Sequence, residues 1–362
     1  MLLLLLLIIT ISIIFLFWAA IRNNNYWKKK GIPGPKPLPL KGNIDQIFGK
    51  NIAAIQKQKW SKEYGSVYGI KNGWFNELVI SDPVMVKQVF VDKFEKFHGR
   101  AASPLFGDVD TKKLIPLFFA KGKRWKRLRA IANPAFSISN LKRVMPIIDD
   151  SIKFERHTIL EEIVLNCVLF LLAGFDTTSN NLSLMAHYLV MYPEVQKRLF
   201  EEIEEVCGDG EEMPSYEDLA KLKYVDAVFK ETQRLCPIAS GVTRICEETT
   251  TLGGIIIEKG TNISIDLLTL HRDTKLWGED AEEFKPERWL NGEELTFYYP
   301  FGGGPRICIG LRFAIMETKM ILVRLLKTFE LKRCLETEAE LKFIGQIVLN
   351  PGKVFVELKL RK

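Results

Sequence analysis

Ten residues, Phe301-Gly302-Gly303-Gly304-Pro305-Arg306-Ile307-Cys308-Ile309-Gly310, set one cysteine behind three glycines and a proline and directly ahead of an amphipathic run, Leu311–Leu326. That order predicts a loop that delivers a thiol to the N-terminus of a helix. There the unpaired backbone N–H groups and the helix dipole favour thiolate over thiol, which makes Cys308 a candidate metal ligand. The glycines let the backbone approach a flat ligand closely, because no Cβ intrudes. Arg306, two residues before the sulfur, can offer a fork of donors to a carboxylate on that ligand. A lone cysteine in a glycine-rich loop is more often a buried free thiol, so ligation depends on what accompanies it.

Ala173-Gly174-Phe175-Asp176-Thr177-Thr178 closes a long apolar run. A glycine inside a helix costs about 1 kcal/mol relative to alanine, so Gly174 reads as a gap opened on one face. The Thr177 hydroxyl can bond back to the Ala173 carbonyl and loosen the turn. An acid followed by an alcohol beside such a gap suits proton delivery to bound oxygen; the plainer reading is a helix passing into an exposed stretch. Glu231 and Arg234 share a helix face at i, i+3, and Val228, Phe229 and Leu235 around them imply that one side of the turn is buried. Arg288, within Phe284-Lys285-Pro286-Glu287-Arg288-Trp289, is the candidate third member. Lys121–Arg129 gathers six basic residues around Trp125, with Trp125 and Arg129 on one face at i, i+4. A nucleic-acid patch would need an aromatic-rich surface or a recognised motif, and neither accompanies it. Cys236-Pro237 reads as a buried spacer. His98, His157, His187 and His271 show no ligand spacing and are expected to be structural.

The loop fills every fixed position of F-x-x-G-x-R-x-C-x-G, and it resembles the haem-binding loop of the cytochrome P450 superfamily, whose axial iron ligand is a cysteine thiolate. Residues 173–177 are similar to the distal-helix motif of that superfamily (small-Gly-x-acid-Thr). Residues 231–234 resemble its E-x-x-R motif, 286–289 its P-E-R-[FW] segment, and 125–129 its propionate-binding W-x-x-x-R pair. The resemblance is nearest to microsomal enzymes of the family 3 type, including nematode and insect relatives. F-L-L-A-G-F-D-T-T-S, H-R-D and the cysteine loop carry it. It implies Cys308 as the ligand of haem iron. Arg306, Phe301, Gly310, Trp125, Arg129 and Arg244 would bind the haem b (iron protoporphyrin IX). Gly174, Asp176 and Thr177 would be catalytic, and Glu231, Arg234 and Arg288 a structural triad behind the haem. It further implies insertion of one oxygen atom from O2 into a lipophilic small molecule of xenobiotic, steroid or fatty-acid type. Electrons would come from NADPH through a membrane-bound NADPH–cytochrome P450 reductase, with cytochrome b5 as a second donor. Lys121, Lys123, Lys126 and Arg127 would form a positive face for such a donor. Segments 106–119, 170–173, 238–242 and 345–347 are the candidate substrate-facing stretches.

The elements that must position these residues read as mainly α with a small β portion. Helical periodicity covers 125–131, 140–155, 159–192, 194–206 and 223–235. Ser66–Ile80 alternates around Asn72-Gly73, a hairpin signature. Asp82-Pro83 reads as the cap and first turn of a short helix reaching Val91. Short β segments are expected at 253–257, 262–267 and 353–359. The run Ile163–Phe175, apolar nearly all round except for Asn166, predicts a helix buried in the middle of the domain.

Met1–Ile21 carries no charge, and at ~1.5 Å per residue it spans roughly 31 Å, enough for a bilayer core. Arg22 and Lys28–Lys30 flank its C-terminal side, so it reads as a single-pass transmembrane signal anchor with the body of the protein cytoplasmic. A cleaved signal peptide would want a basic start and a shorter apolar stretch. A basic, proline-rich hinge (22–39) follows, then a domain from 40 to 362. Net charge is +7, and the six cysteines show no C-x-x-C spacing. That spacing argues against a zinc site or a disulfide framework and fits a reducing compartment. The resemblance puts the anchor in the endoplasmic reticulum membrane.

One departure from the family pattern stands out. After Leu141–Glu155, which looks like the start of helix D of the superfamily, the chain reaches the distal helix within a few residues. The resemblance leads one to expect the rest of D, helix E and the F–G roof between them. A P450 fold lacking most of helices D to H is therefore implied, with the gap near 150–158. Uncovered apolar faces would be costly at ~25 cal/mol per Å², and an open roof would admit water to the reaction. The alternative reading is a catalytically impaired or inactive truncated form, a splice or gene-model product with weak or no haem binding. Reductase-independent rearrangement of peroxides is opposed by the intact acid–alcohol pair and the basic face.

Overall fold

A computed structural model describes residues 2–49, 52–100, 112, 114–139, 160–208, 214–292, 295–346 and 348–361. Leaving single-turn helices aside, the chain runs α1 (Leu2–Asn24), α2 (Ala53–Tyr64), β1 (Val67–Asn72), β2 (Phe75–Ile80), α3 (Pro83–Lys87), α4 (Gly122–Ala132), α5 (Leu160–Met191) and α6 (Pro193–Cys207). It continues through α7 (Tyr216–Lys221), α8 (Lys223–Leu235), β3 (Gly241–Ile245), β4 (Thr250–Leu252), β5 (Ile255–Ile257), β6 (Asn262–Asp266), α9 (Leu311–Thr328), β7 (Phe329–Lys332) and β8 (Glu357–Leu360). The architecture is mainly helical with a minor sheet. It divides into two compact units, Met1–Ala101 with Gly241–Leu270, and Ala102–Ser240 with His271–Lys362.

The first unit is built on a four-stranded sheet in the order β1-β2-β6-β3, with β2 and β6 parallel and the other pairs antiparallel. Gly73, at φ 61°, makes the tight turn between β1 and β2 that Asn72-Gly73 foretold. Asp82 caps α3 by accepting from the Met85 backbone N–H at 2.8 Å. The helix does extend past Val91, but its second half, Gln88–Asp92, is a π-helical turn. The sheet buries Tyr68, Ile70, Leu78, Val79, Ile263 and Ile265. From Leu4 to Trp18 the apolar residues of α1 are exposed, while Ala20 near its end is buried, and by length and composition the helix is a candidate membrane span. At its base the Trp27 indole N–H donates to the Ile70 carbonyl at 2.9 Å, which ties the hinge to the sheet.

The second unit packs α5, α6, α8 and α9 around Leu184, Met185, Leu189, Leu199, Val228 and Leu322. Pro193 starts α6 and a Ser215–Asp218 capping box starts α7, both local signals. β7 and β8 pair antiparallel. Neither β7 nor β3 was expected, because both are short and mix charged with apolar residues.

The buried helix expected at Ile163–Phe175 is not observed. Val164, Val168, Leu171, Leu172 and Phe175 are exposed, and α5 enters the core only from Thr178 onward. A helix that is apolar all round needs neighbours on every side, and the described contacts of this half lie on one side. There Phe136 packs its ring on Phe170 (5.5 Å between centroids), and Asn166 accepts from the Leu117 backbone N–H at 2.8 Å. The helix expected at 140–155, the proposed gap at 150–158 and His157 lie outside the described residues.

Candidate functional site

The cysteine loop folds as its spacing implies. Gly302 and Gly304 take positive φ angles of 72° and 65°, which a side chain would strain. The Phe301 carbonyl accepts from the Cys308 N–H at 3.0 Å and closes the loop. The Cys308 thiol is exposed, and Gly310 forms the N-cap of α9 two residues later. Phe301 stacks its ring on Phe229 of α8 (6.1 Å, 8°).

Helix α4 supplies the positive surroundings. Arg129 is half-buried; burial draws its pKa down, while the adjacent negative charge of a Cys308 thiolate opposes that shift. Arg306 is buried with its guanidinium 4.5 Å above the Trp125 ring. Its terminal nitrogens donate to the carbonyl oxygens of Phe118, at 3.4 Å, and Ala120. Trp125, Arg129 and Arg306 are thus brought together around the cysteine loop. Arg244 belongs to the first unit, where it lies buried on β3, 5.2 Å above the Phe90 ring, and donates to the Thr243 carbonyl at 3.0 Å. Lys123 and Lys126 are exposed on α4, and Lys121 and Arg127 half-buried.

On α5 the Thr177 hydroxyl donates to the Ala173 carbonyl at 2.5 Å, the back-bond anticipated from sequence. Nothing lies within 4 Å of where a Cβ on Gly174 would stand, so this face of the helix is open. Asp176 is exposed and Thr177 half-buried. Phe136, a residue that sequence reasoning passed over, joins the two halves of the site. It packs on Phe170 of α5, and its ring edge lies 4.0 Å from the Cβ position of Gly310. Asn166 was seen only as a polar break, although a single amide in an apolar run was itself the signal that it held something.

Glu231 and Arg234 are fully buried. Glu231 Oε1 accepts from Arg234 Nη2 (2.8 Å), Arg288 Nε (2.9 Å) and the Lys285 N–H (2.9 Å), and Oε2 from Arg234 Nε (2.8 Å) and Trp289 Nε1 (2.9 Å). Arg234 also donates to the carbonyls of His271, Ala281 and Glu283. One carboxylate thereby gathers α8 and the 285–289 segment. His271 accepts from the Tyr299 N–H at 3.0 Å, and burial, followed by the neighbouring Arg234 charge, pulls its pKa down to about 3. Cys236 is buried against the Tyr188 hydroxyl at 3.3 Å. Of the candidate substrate-facing stretches, residues 106–111, 113 and 347 lie outside the described residues. Leu172 and Ala173 are exposed, and Ile238 is buried.

The family model described as cytochrome P450 matches residues 32–159 and 153–358. Three Caenorhabditis elegans proteins, assigned provisionally as cytochromes P450 CYP13A7, CYP13A4 and CYP13A3, are 31%, 29% and 30% identical to this chain, over 93% of it and 95% of each relative. Those alignments run over 496 positions, more than the 362 residues of the chain, so it is the shorter protein within the shared span.

Proposed function

The chain belongs to the cytochrome P450 family of haem-dependent monooxygenases, and on that premise we propose that Cys308 is its haem-iron ligand in an enzyme acting on lipophilic small molecules. The observation that carries this is the Cys308 thiol, exposed two residues before the N-cap of α9 in a loop closed by its own N–H on the Phe301 carbonyl. The residues fit the group in part: a thiol for the metal, the Arg129 cation on the helix beside the loop for its carboxylates, and glycines at positive φ that a side chain would strain. Arg306, expected to offer its fork to the ligand, instead has its terminal nitrogens on the Phe118 and Ala120 carbonyls and keeps that role by the resemblance alone. Arg244 and Gly310 are assigned to the same cofactor by the resemblance alone.

Haem, when bound, supplies the redox chemistry by which one atom of O2 enters the substrate and the other leaves as water. The chain does the rest. Cys308 would hold the metal as thiolate, a form that its place ahead of a helix N-terminus favours. Asp176, open to solvent, takes up a proton on its carboxylate, and the Thr177 hydroxyl passes a proton on toward the gap beside Gly174. Glu231, Arg234 and Arg288 touch no reacting atom and hold the framework behind the loop. NADPH–cytochrome P450 reductase is the proposed electron donor, with cytochrome b5 as an accessory, meeting the basic face of α4. The α1 helix is the proposed anchor in the endoplasmic reticulum membrane.

A second reading is favoured by one observation: Phe175 and Asp176, next to the proposed proton path, stand in solvent. An open distal side lets water compete with substrate, so the chain would bind haem weakly or turn over unproductively, as a form shortened near 150–158. The reduced, carbon-monoxide-bound spectrum of the expressed chain is the test. A thiolate-type Soret band is the expected result, and its absence sinks the active-enzyme reading. Haem bound with that band but no reductase-dependent product would favour the second.

A further inference from the structure

One stripe of α5 carries none of the cofactor-binding or proton-passing residues just described, although Leu171 in it falls within the 170–173 stretch expected to face substrate. Val164, Val168, Leu171 and Phe175 follow one another at spacings of four, three and four, the d-a-d-a order of a coiled-coil seam. They are 55%, 49%, 72% and 75% exposed. At about 100° per residue they line the side of the helix turned away from Asn166, Phe170, Ala173 and Thr177. The stripe therefore lies opposite the Thr177 back-bond, with Gly174 on the flank between the two faces.

We propose that this stripe is the seam of a two-fold dimer between two copies of this chain. At roughly 200 Å² per residue, an aromatic-sized upper bound for the two valines and the leucine, those exposures leave at most about 500 Å² of apolar surface per copy. Two copies would cover at most about 1,000 Å² in total, the size of a weak, transient contact. The spacing is self-complementary in an antiparallel pair. With the axis between residues 169 and 170, Val168 of one copy meets Leu171 of the other, and Val164 meets Phe175. The nematode relatives align over 496 positions against the 362 residues of this chain, which leaves this chain fewer residues of its own to cover the stripe.

A lipid surface fits less well. From Thr178 onward α5 is held in the core, where Asn181 donates to Thr318 and accepts from Gln233, so the helix does not cross a bilayer. In sequence the stripe is bounded by Glu161 and Glu162 before it and Asp176 after it, charges that an anionic leaflet repels. The α1 anchor, a separate proposal above, would concentrate copies in one membrane and favour their meeting.

Cys167, exposed and adjacent to Val168, provides the handle for a test. The full chain in membranes is treated with a short bis-maleimide. A covalent dimer is expected that C167S abolishes and that L171E or F175E, both at exposed positions, reduces at least five-fold. Alkaline carbonate extraction, run in parallel, reads the anchor on its own. If carbonate strips the chain, the anchor reading fails, and the dimer is then read by sedimentation of the released protein, where L171E must still shift it to monomer. A cross-link that is absent, or indifferent to L171E, overturns the seam. So does a fluorophore attached at position 171 of the C167S/L171C variant that brominated lipids quench, which would make the stripe a bilayer-facing surface.

Discussion

The Glu231 cluster and the exposed half of α5 belong to the same unit, and both are made of residues that are costly in the wrong surroundings. A buried carboxylate is costly without donors, and an apolar helix is costly in water. The carboxylate has found five donors from α8 and the 285–289 segment. The helix leaves Leu171 and Phe175 about three-quarters exposed. The partners of Glu231 all lie within 58 residues of it, on segments the chain retains. The helix needs cover on several sides at once and keeps the side where Leu117 meets Asn166 and Phe136 meets Phe170. A shortened chain can therefore keep its charged framework intact and still leave its distal helix open.

The largest effect is expected at the framework. E231A leaves the buried Arg234 guanidinium without its carboxylate, and about 3–5 kcal/mol of stability should be lost in urea unfolding of the full chain. An unchanged midpoint would mean that the cluster does not hold the unit together, and the contrast drawn above would collapse. Next comes the pH dependence of the same region. His271 stays neutral in the fold, its pKa pulled down to about 3, whereas in the unfolded chain it titrates near its ordinary 6.5. Below pH 6.5 the unfolded state takes up the proton first. Stability should therefore fall by up to about 1.4 kcal/mol per pH unit toward pH 3 and level off below it. The slope is expected to flatten in H271Q, and an identical slope in that variant would remove the imidazole as its cause.

A smaller change in stability is expected at the proposed ligand. C308S exchanges an exposed thiol for a hydroxyl, so the apoprotein should unfold within about 0.5 kcal/mol of wild type, while the thiolate-type Soret band disappears entirely. The smallest belongs to the open helix. L171A truncates a side chain already largely in water and should cost no more than about 0.5 kcal/mol in dilute monomer, against the 2–5 kcal/mol of a buried leucine such as Leu184. A large loss at Leu171 would show that the stripe is covered and would turn the comparison around.

Much of the candidate site was legible because its signals are short-range. The left-handed Gly302 and Gly304, the cap of Asp82, the Glu231–Arg234 pair and the Thr177 bond to Ala173 each depend on residues at most four positions apart. Contacts that cross the sequence were not legible. Nothing near Arg306 announces that two of its donors meet the Phe118 and Ala120 carbonyls, 188 and 186 residues away. Phe136 carries no mark of its position between Gly310 and Phe170.

The sequence by itself determined the family, the candidate ligand Cys308 and the local geometry that presents it. Steric limits on φ and hydrogen bonds closed within a turn need only neighbouring residues. Only the tertiary structure decided which donors surround Glu231, where the Arg306 fork points, and that the first half of α5 stands in solvent. Periodicity records which residues are apolar, and burial depends on which distant elements arrive to cover them.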